Sequence, residues 1–258
     1  MEPQSLAFEE RGSGPTLLFV HGFPFHAGMW KAQVAGLAKT ATCVAVDLRG
    51  HGMSAEIPTD GATMDLHADD LAATLDELGT DQVDLVSLSM GGYVAFAFWR
   101  RHRARVRSFV FIDTKAEADG DEAKAGRTAT AELVKAEGMP PLWEKLRGVL
   151  FGESPAEAVV AGVGEIALST PPASAISDLI AMRDRPDSTP DLAEIDVPAT
   201  WIHGAQDKMM PIAGTEAIVG QMKDATLVAI PDAGHVSPIE QPDLVNDAIR
   251  AHLARVRG

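Results

Sequence analysis

The sequence predicts an α/β fold: a mostly parallel, twisted sheet flanked by helices, with an inserted helical lid. Three observations predict it. Short apolar runs alternate with amphipathic stretches up to residue 114. That alternation stops near Lys115 and resumes after Pro190. The chain has 258 residues and is 46% apolar, which suits one large domain with a sizeable core rather than a small stapled one. Strands that alternate with helices pair in parallel through right-handed crossovers.

The elements follow in order. Leu17-Leu18-Phe19-Val20 is a buried-strand run closed by His21-Gly22. Trp30, Val34 and Leu37 space out a first helix. Thr42-Cys43-Val44-Ala45-Val46 is the next strand, closed by Asp47-Leu48-Arg49-Gly50. Leu66, Leu71, Leu75 and Leu78 recur near helical period, and Gly79 follows as a stop. Val83 to Val86 and Val106 to Ile112 are further strands, separated by an apolar helix from Tyr93 to Arg100. From Lys115 to Pro190 the chain is rich in Ala and Glu, shows helical spacing at Leu142, Leu146, Val149 and Leu150, and is broken by prolines. Residues 115–190 are therefore expected to form the lid, and 1–114 with 191–258 the core. Ala199 to Ile202 and Ala225 to Ile230 resume the sheet. A last helix is expected from about Asp243 to Val256, with Leu244, Ile249 and Leu253 as its buried face.

Composition narrows the function. Twenty-two basic and 37 acidic residues give a net charge of −15. Nucleic acid and anionic membrane surfaces both demand positive charge, so neither is an expected partner. No apolar run reaches membrane-spanning length. The amino end lacks a basic-then-apolar leader pattern, so a cytoplasmic location is expected. Cys43 is the single cysteine, which excludes an internal disulfide. No paired-cysteine, H-E-x-x-H or Walker spacing occurs, so neither metal nor nucleotide cofactor is implied. Gly50-His51-Gly52-Met53-Ser54-Ala55 matches a dinucleotide pattern, but Pro58 and Gly61 follow instead of a helix. Arg100, Arg101, Arg103, Arg105 and Arg107 read as cations opposing a helix dipole rather than as an anion patch.

Chemistry concentrates where strands end. Ser87-Leu88-Ser89-Met90-Gly91-Gly92 lies between a strand and a helix. A serine on such a tight turn is pushed out of the sheet edge, and only small residues fit two positions either side. Gly91 meets that need; Ser87 stands where such turns usually carry glycine. The helix starting at Met90 points its amides at a developing oxyanion. In His21-Gly22-Phe23-Pro24, Gly22 permits close approach, and the Phe23 amide would be the second oxyanion donor. His235, after the last strand, supplies a base. Asp207, after the preceding strand, supplies its orienting carboxylate. Asp113, which also ends a strand, is the alternative acid.

These motifs resemble those of the α/β-hydrolase superfamily over essentially the whole chain. They are His21-Gly22-Phe23-Pro24, Asp47-Leu48-Arg49-Gly50-His51-Gly52-Met53-Ser54, Ser87 to Gly92, Asp207, and Gly234-His235 followed by Glu240-Gln241-Pro242. The resemblance implies Ser89 as nucleophile, His235 as base, Asp207 as acid, and the Phe23 and Met90 amides as oxyanion hole. Phe111 to Asp119 is similar to carboxylesterase-like hydrolases and, more loosely, to 3-oxoadipate enol-lactonases. The expected activity is hydrolysis of small carboxylic esters or lactones through an acyl-enzyme, without cofactor. Phe25, Trp30, Trp143 and Met209 are candidate pocket residues. An anionic lactone would want an inward cation, for which Arg127, Lys135, Arg147 and Arg183 are available. Two other readings keep the fold: perhydrolysis (haloperoxidase chemistry) or carbon–carbon bond hydrolysis on the same triad, and a small-molecule receptor or sensor using the pocket and lid.

Overall fold

The computed structural model describes residues 1–258. The short β-rich runs form a seven-stranded sheet: β1 (Phe8–Gly12), β2 (Thr16–Val20), β3 (Thr42–Val46), β4 (Val83–Leu88), β5 (Val106–Ile112), β6 (Ala199–Gly204) and β7 (Ala225–Ile230). Their spatial order is β1-β3-β2-β4-β5-β6-β7. All neighbours pair in parallel except β1, which runs antiparallel to β3. The sequence gives no sign of β1, because Phe8-Glu9-Glu10-Arg11 has no apolar run. This edge strand is mostly exposed and is held by its ladder rather than by burial.

Ten helices surround the sheet: α1 (Lys31–Leu37), α2 (Met64–Glu77), α3 (Met90–His102), α4 (Asp121–Glu137), α5 (Met139–Arg147), α6 (Glu157–Leu168), α7 (Pro172–Asp184), α8 (Ile212–Val219), α9 (Ser237–Glu240) and α10 (Pro242–Arg257). Successive strand residues point to opposite faces, so each central strand feeds two cores. Leu18, Val20, Leu85, Phe109 and Phe111 join α2 and α3 on one side; Leu17, Phe19, Val86, Val110 and Ile112 join α1 and α10 on the other. α2 illustrates how sequence sets an element's ends. The Thr63 side chain accepts from the Leu66 amide as its cap, and Gly79, at φ 62°, follows its last turn. In α10 Ile249 and Leu253 are buried as expected, and Val245 completes the face in place of Leu244, which is 41% exposed. Val149 likewise lies beyond α5 and is exposed.

Between β5 and β6 the chain forms α4 to α7 and no strand. Two buried carboxylates tie this stretch down. Asp119 accepts from Arg185 at 2.8 Å and from Arg127. Asp178, on α7, receives the Nε2 protons of His51 at 2.7 Å and His67 at 3.2 Å. The arginines expected to oppose a helix dipole are each paired: Arg100 with Asp191, Arg101 with Asp69, Arg103 with Glu194, Arg105 with Asp76, Arg107 with Asp84. Cys43 is buried in β3, and burial pushes its thiol up to about 11. No single helix is long and apolar enough to cross a membrane.

Candidate active site

β4 delivers Ser89 into the turn before α3. Its backbone sits at φ 50°, ψ −112°, a region that a non-glycine residue occupies only under constraint. A Cβ at Gly91 would lie 2.5 Å from the Val20 carbonyl, so the turn packs against β2 with no room to spare. Ser87 fits where glycine is usual; its hydroxyl is buried and has no partner.

The loops after β6 and β7 complete the arrangement. His235 Nε2 lies 2.8 Å from Ser89 Oγ, and His235 Nδ1 lies 2.7 Å from Asp207 Oδ2. A carboxylate only accepts, so Nδ1 carries the imidazole proton and Nε2 is left to accept from the serine hydroxyl. Asp207 is itself fixed by the Met209 and Met210 amides, at 2.8 and 3.0 Å on Oδ1. The His235 amide donates to the Leu150 carbonyl at 2.7 Å, while Glu240 receives the Gly234 and Gly152 amides. The histidine loop is thereby stitched to the segment after α5. Burial opposes charge on both members of the pair. Even so, His235 holds the Asp207 carboxyl below its usual range, and Asp207 holds the His235 imidazole above the ordinary histidine value.

Asp113 ends β5 but points elsewhere. Its Oδ1 accepts the Gly204 amide at 2.7 Å, and its Oδ2 accepts the Ser237 amide at 3.1 Å and hydroxyl at 2.7 Å. Burial pushes its pKa up. Asp113, His203 and Asp207 converge within 4.8 Å. Their atoms are already committed, however: His203 Nε2 donates to the Met210 carbonyl at 2.6 Å and Nδ1 meets Thr215 Oγ1 at 3.0 Å. This is a closed hydrogen-bonded set rather than an open ligand cage.

Two backbone amides close to Ser89 in the chain or the fold have no acceptor within the protein. Met90 opens α3, so its N–H has no acceptor inside the helix. The Phe23 N–H donates to no other protein group. A Cβ at Gly22 would lie 3.3 Å from Ser89 Cβ, which measures how closely the turn after β2 passes the serine.

The expected pocket residues divide differently. Phe25 and Trp30 are buried in the core around α1, with the Trp30 ring 5.3 Å from that of Phe19. Trp143 packs edge-on to Phe151 and against Gly164. All three are buried. Met209 is 41% exposed and borders a cavity of about 190 Å³ with Thr114 and Lys115. Sequence reasoning missed the apolar cluster of Val134, Met139, Leu142 and Ala175, which packs on Phe23. Its residues come from α4, α5 and α7, so only the tertiary fold assembles them. Arg127, Arg147 and Arg183 are paired with Asp119, Glu144 and Asp184. Lys135 lines a cavity between α4 and α7 that includes neither Ser89 nor His235.

This sheet, with a serine on its strained strand–helix turn, is an α/β hydrolase fold. The chain belongs to the alpha/beta hydrolase family, whose model matches residues 17–248. It is similar to a thermophilic esterase from Thermogutta terrifontis, at 40% identity and TM-score 0.95, over 98% of this chain and 94% of that one. It is similar to a non-heme haloperoxidase of Rhodococcus erythropolis, 30% identical over 93% of this chain and 92% of the relative. The enol-lactonase of Burkholderia xenovorans superposes with TM-score 0.87 at 25% identity, covering 96% of each chain.

Proposed function

We propose that the protein hydrolyses small, uncharged carboxylic esters or lactones through an acyl-enzyme on Ser89. The observation that carries this reading is the unbroken chain Ser89 Oγ, His235, Asp207, with contacts of 2.8 and 2.7 Å. As Ser89 Oγ attacks the ester carbonyl, His235 Nε2 takes its proton. Asp207 keeps the imidazole in the Nδ1–H tautomer and stabilises the imidazolium. The tetrahedral oxyanion is received by the Phe23 and Met90 amides, each such donor lowering the barrier by about 3 kcal/mol. His235 then gives its proton to the leaving alkoxide, and water repeats the sequence to free the acid. Two features support an uncharged substrate: the net charge of −15 and the pairing of all four arginines of residues 115–190 with carboxylates. Helices α4 to α7 serve as the cap, and the cluster over Phe23 forms the apolar wall for the acyl group.

The esterase at 40% identity supports hydrolysis; the haloperoxidase relative supports perhydrolysis on the same groups, with peroxide replacing water at the acyl-enzyme. The first step is common to both, so a fluorophosphonate tests it. Mass spectrometry of the treated protein is expected to find one adduct, on Ser89, absent from Ser89→Ala and formed far more slowly in His235→Ala. Labelling that persists in Ser89→Ala overturns the reading.

A further inference from the structure

The C=O and N–H of one trans peptide point in opposite directions. Whatever holds the carbonyl of residue 89 therefore aims the amide of Met90. That carbonyl accepts two hydrogen bonds. One comes from the Gly92 amide at 2.9 Å, part of the turn into α3. The other comes from the Thr114 hydroxyl at 2.7 Å, from beyond the end of β5. Thr114 is 1% exposed, and its Oγ1 makes no other hydrogen bond. The room for it exists because residue 92 is glycine: a Cβ there would sit 2.3 Å from Thr114 Oγ1.

The second oxyanion donor is aimed in the same way. The Gly22 carbonyl, which shares its peptide with the Phe23 N–H, accepts from the Phe25 amide at 2.9 Å and from His21 Nδ1 at 3.0 Å. His21 Nε2 in turn accepts the Leu48 amide at 3.0 Å, which fixes the tautomer. Burial holds the His21 pKa well below its ordinary value, so the ring stays neutral and keeps that tautomer. Each peptide thus has one bond from its own turn and one from a buried side chain. For Phe23 that side chain is its near neighbour in sequence. For Met90 it is Thr114, 25 residues from Ser89.

We propose that Thr114 is a positioning residue: its hydroxyl locks the Ser89–Met90 peptide so that the Met90 amide faces the oxyanion of the tetrahedral intermediate. The role is needed because Ser89 occupies a constrained backbone region, from which a released peptide relaxes by rotating. Thr114 touches no reacting atom. Its effect reaches the chemistry through one amide, so it is felt in the transition state more than in substrate binding.

The proposal rests on the hydrolase reading above, and the experiment separates the two. Thr114→Val keeps the shape and removes the donor; Thr114→Ser keeps the donor. Both are assayed on a p-nitrophenyl ester, with inhibition by a phenylboronic acid that forms a tetrahedral serine adduct. In Thr114→Val, kcat is expected to fall about tenfold with KM nearly constant, a fraction of the loss that follows complete removal of an oxyanion donor. The boronate Ki rises in parallel, and Thr114→Ser stays close to the wild type. Should the valine variant lack a cooperative thermal transition, Thr114→Ala takes its place with the same expectation. An unchanged kcat in the donor-free variants, or an equal loss in Thr114→Ser, overturns the positioning role while fluorophosphonate labelling of Ser89 leaves the hydrolase reading intact. A wild type in which Ser89 is never labelled removes both.

Discussion

Asp207 and Asp113 sit at the same rim of the sheet, after neighbouring strands, with carboxylate oxygens within 4.8 Å. Both are buried. Each accepts two backbone amides, and the third donor is what differs. Asp207 takes the Nδ1 proton of His235, and that interaction keeps it ionised against the cost of burial. Asp113 takes two backbone amides and one hydroxyl, and burial pushes its pKa up. Two identical side chains, each on two amides, one meeting an imidazole and the other a hydroxyl, become a chemical partner and a brace. Position at a strand end does not decide a carboxylate's role; the donor it meets does.

The contrast can be broken most directly by neutralising each acid in turn. Asp207→Asn keeps the shape but disfavours the Nδ1–H tautomer, and kcat on an ester is expected to fall by about 10⁴-fold. Asp113→Asn leaves His235 and Ser89 paired, so kcat changes less than about tenfold, while melting falls by several degrees as the Ser237 and Gly204 contacts weaken. Equal losses of kcat would erase the distinction.

The pH profile sharpens it. His235 must be neutral to accept the serine proton, and Asp207 raises its pKa above the ordinary value of about 6.5. The kcat/KM of the wild type should therefore rise with pH through an acid limb centred above that value. In Asp207→Asn the residual activity should show the limb displaced downward, whereas Asp113→Asn moves it little. An unmoved limb in Asp207→Asn would detach the carboxylate from the imidazole's titration.

The stretch between β5 and β6 repeats the theme on a smaller scale. Asp119 is held by arginines and its carboxyl lies at about 2, because the Arg185 and Arg127 hydrogen bonds outweigh burial. Asp178 is held by His51 and His67, and they outweigh burial to keep it ionised well below the usual range. A carboxylate whose folded pKa is depressed stabilises the fold above its unfolded value of about 3.9, and the contribution fades as pH falls below that. Asp178→Asn should accordingly cost about 3 kcal/mol at pH 7 by breaking a buried pair. Denaturant titrations should show the difference from wild type shrinking toward pH 3. A constant difference would assign the loss to packing.

Much of this was readable along the chain. The runs at Leu17, Val44, Val106 and Thr200 announce buried strands because a central parallel strand hides both faces. Ser89, Asp207 and His235 stand out because each falls in the turn after such a run. β1 does not, since an edge strand with glutamates at 9 and 10 has no apolar signature. Phe25 and Trp30 lie buried in the core around α1: an aromatic side chain suits a core as well as a binding wall, and sequence does not say which neighbour claims it. Asp178 and Thr114 carry no local sign at all. Their partners lie 127 and 25 residues away, and only the assembled fold brings them together.

The solitary, shielded thiol of Cys43 makes this molecule convenient for optical and magnetic work. A thiol with its pKa near 11 reacts sluggishly with maleimides and methanethiosulfonates at neutral pH. A cysteine installed on the outer surface of α4 and another on α2 would then be the only sites to accept a dye or nitroxide, and the distance between them would report any movement of one helix against the other.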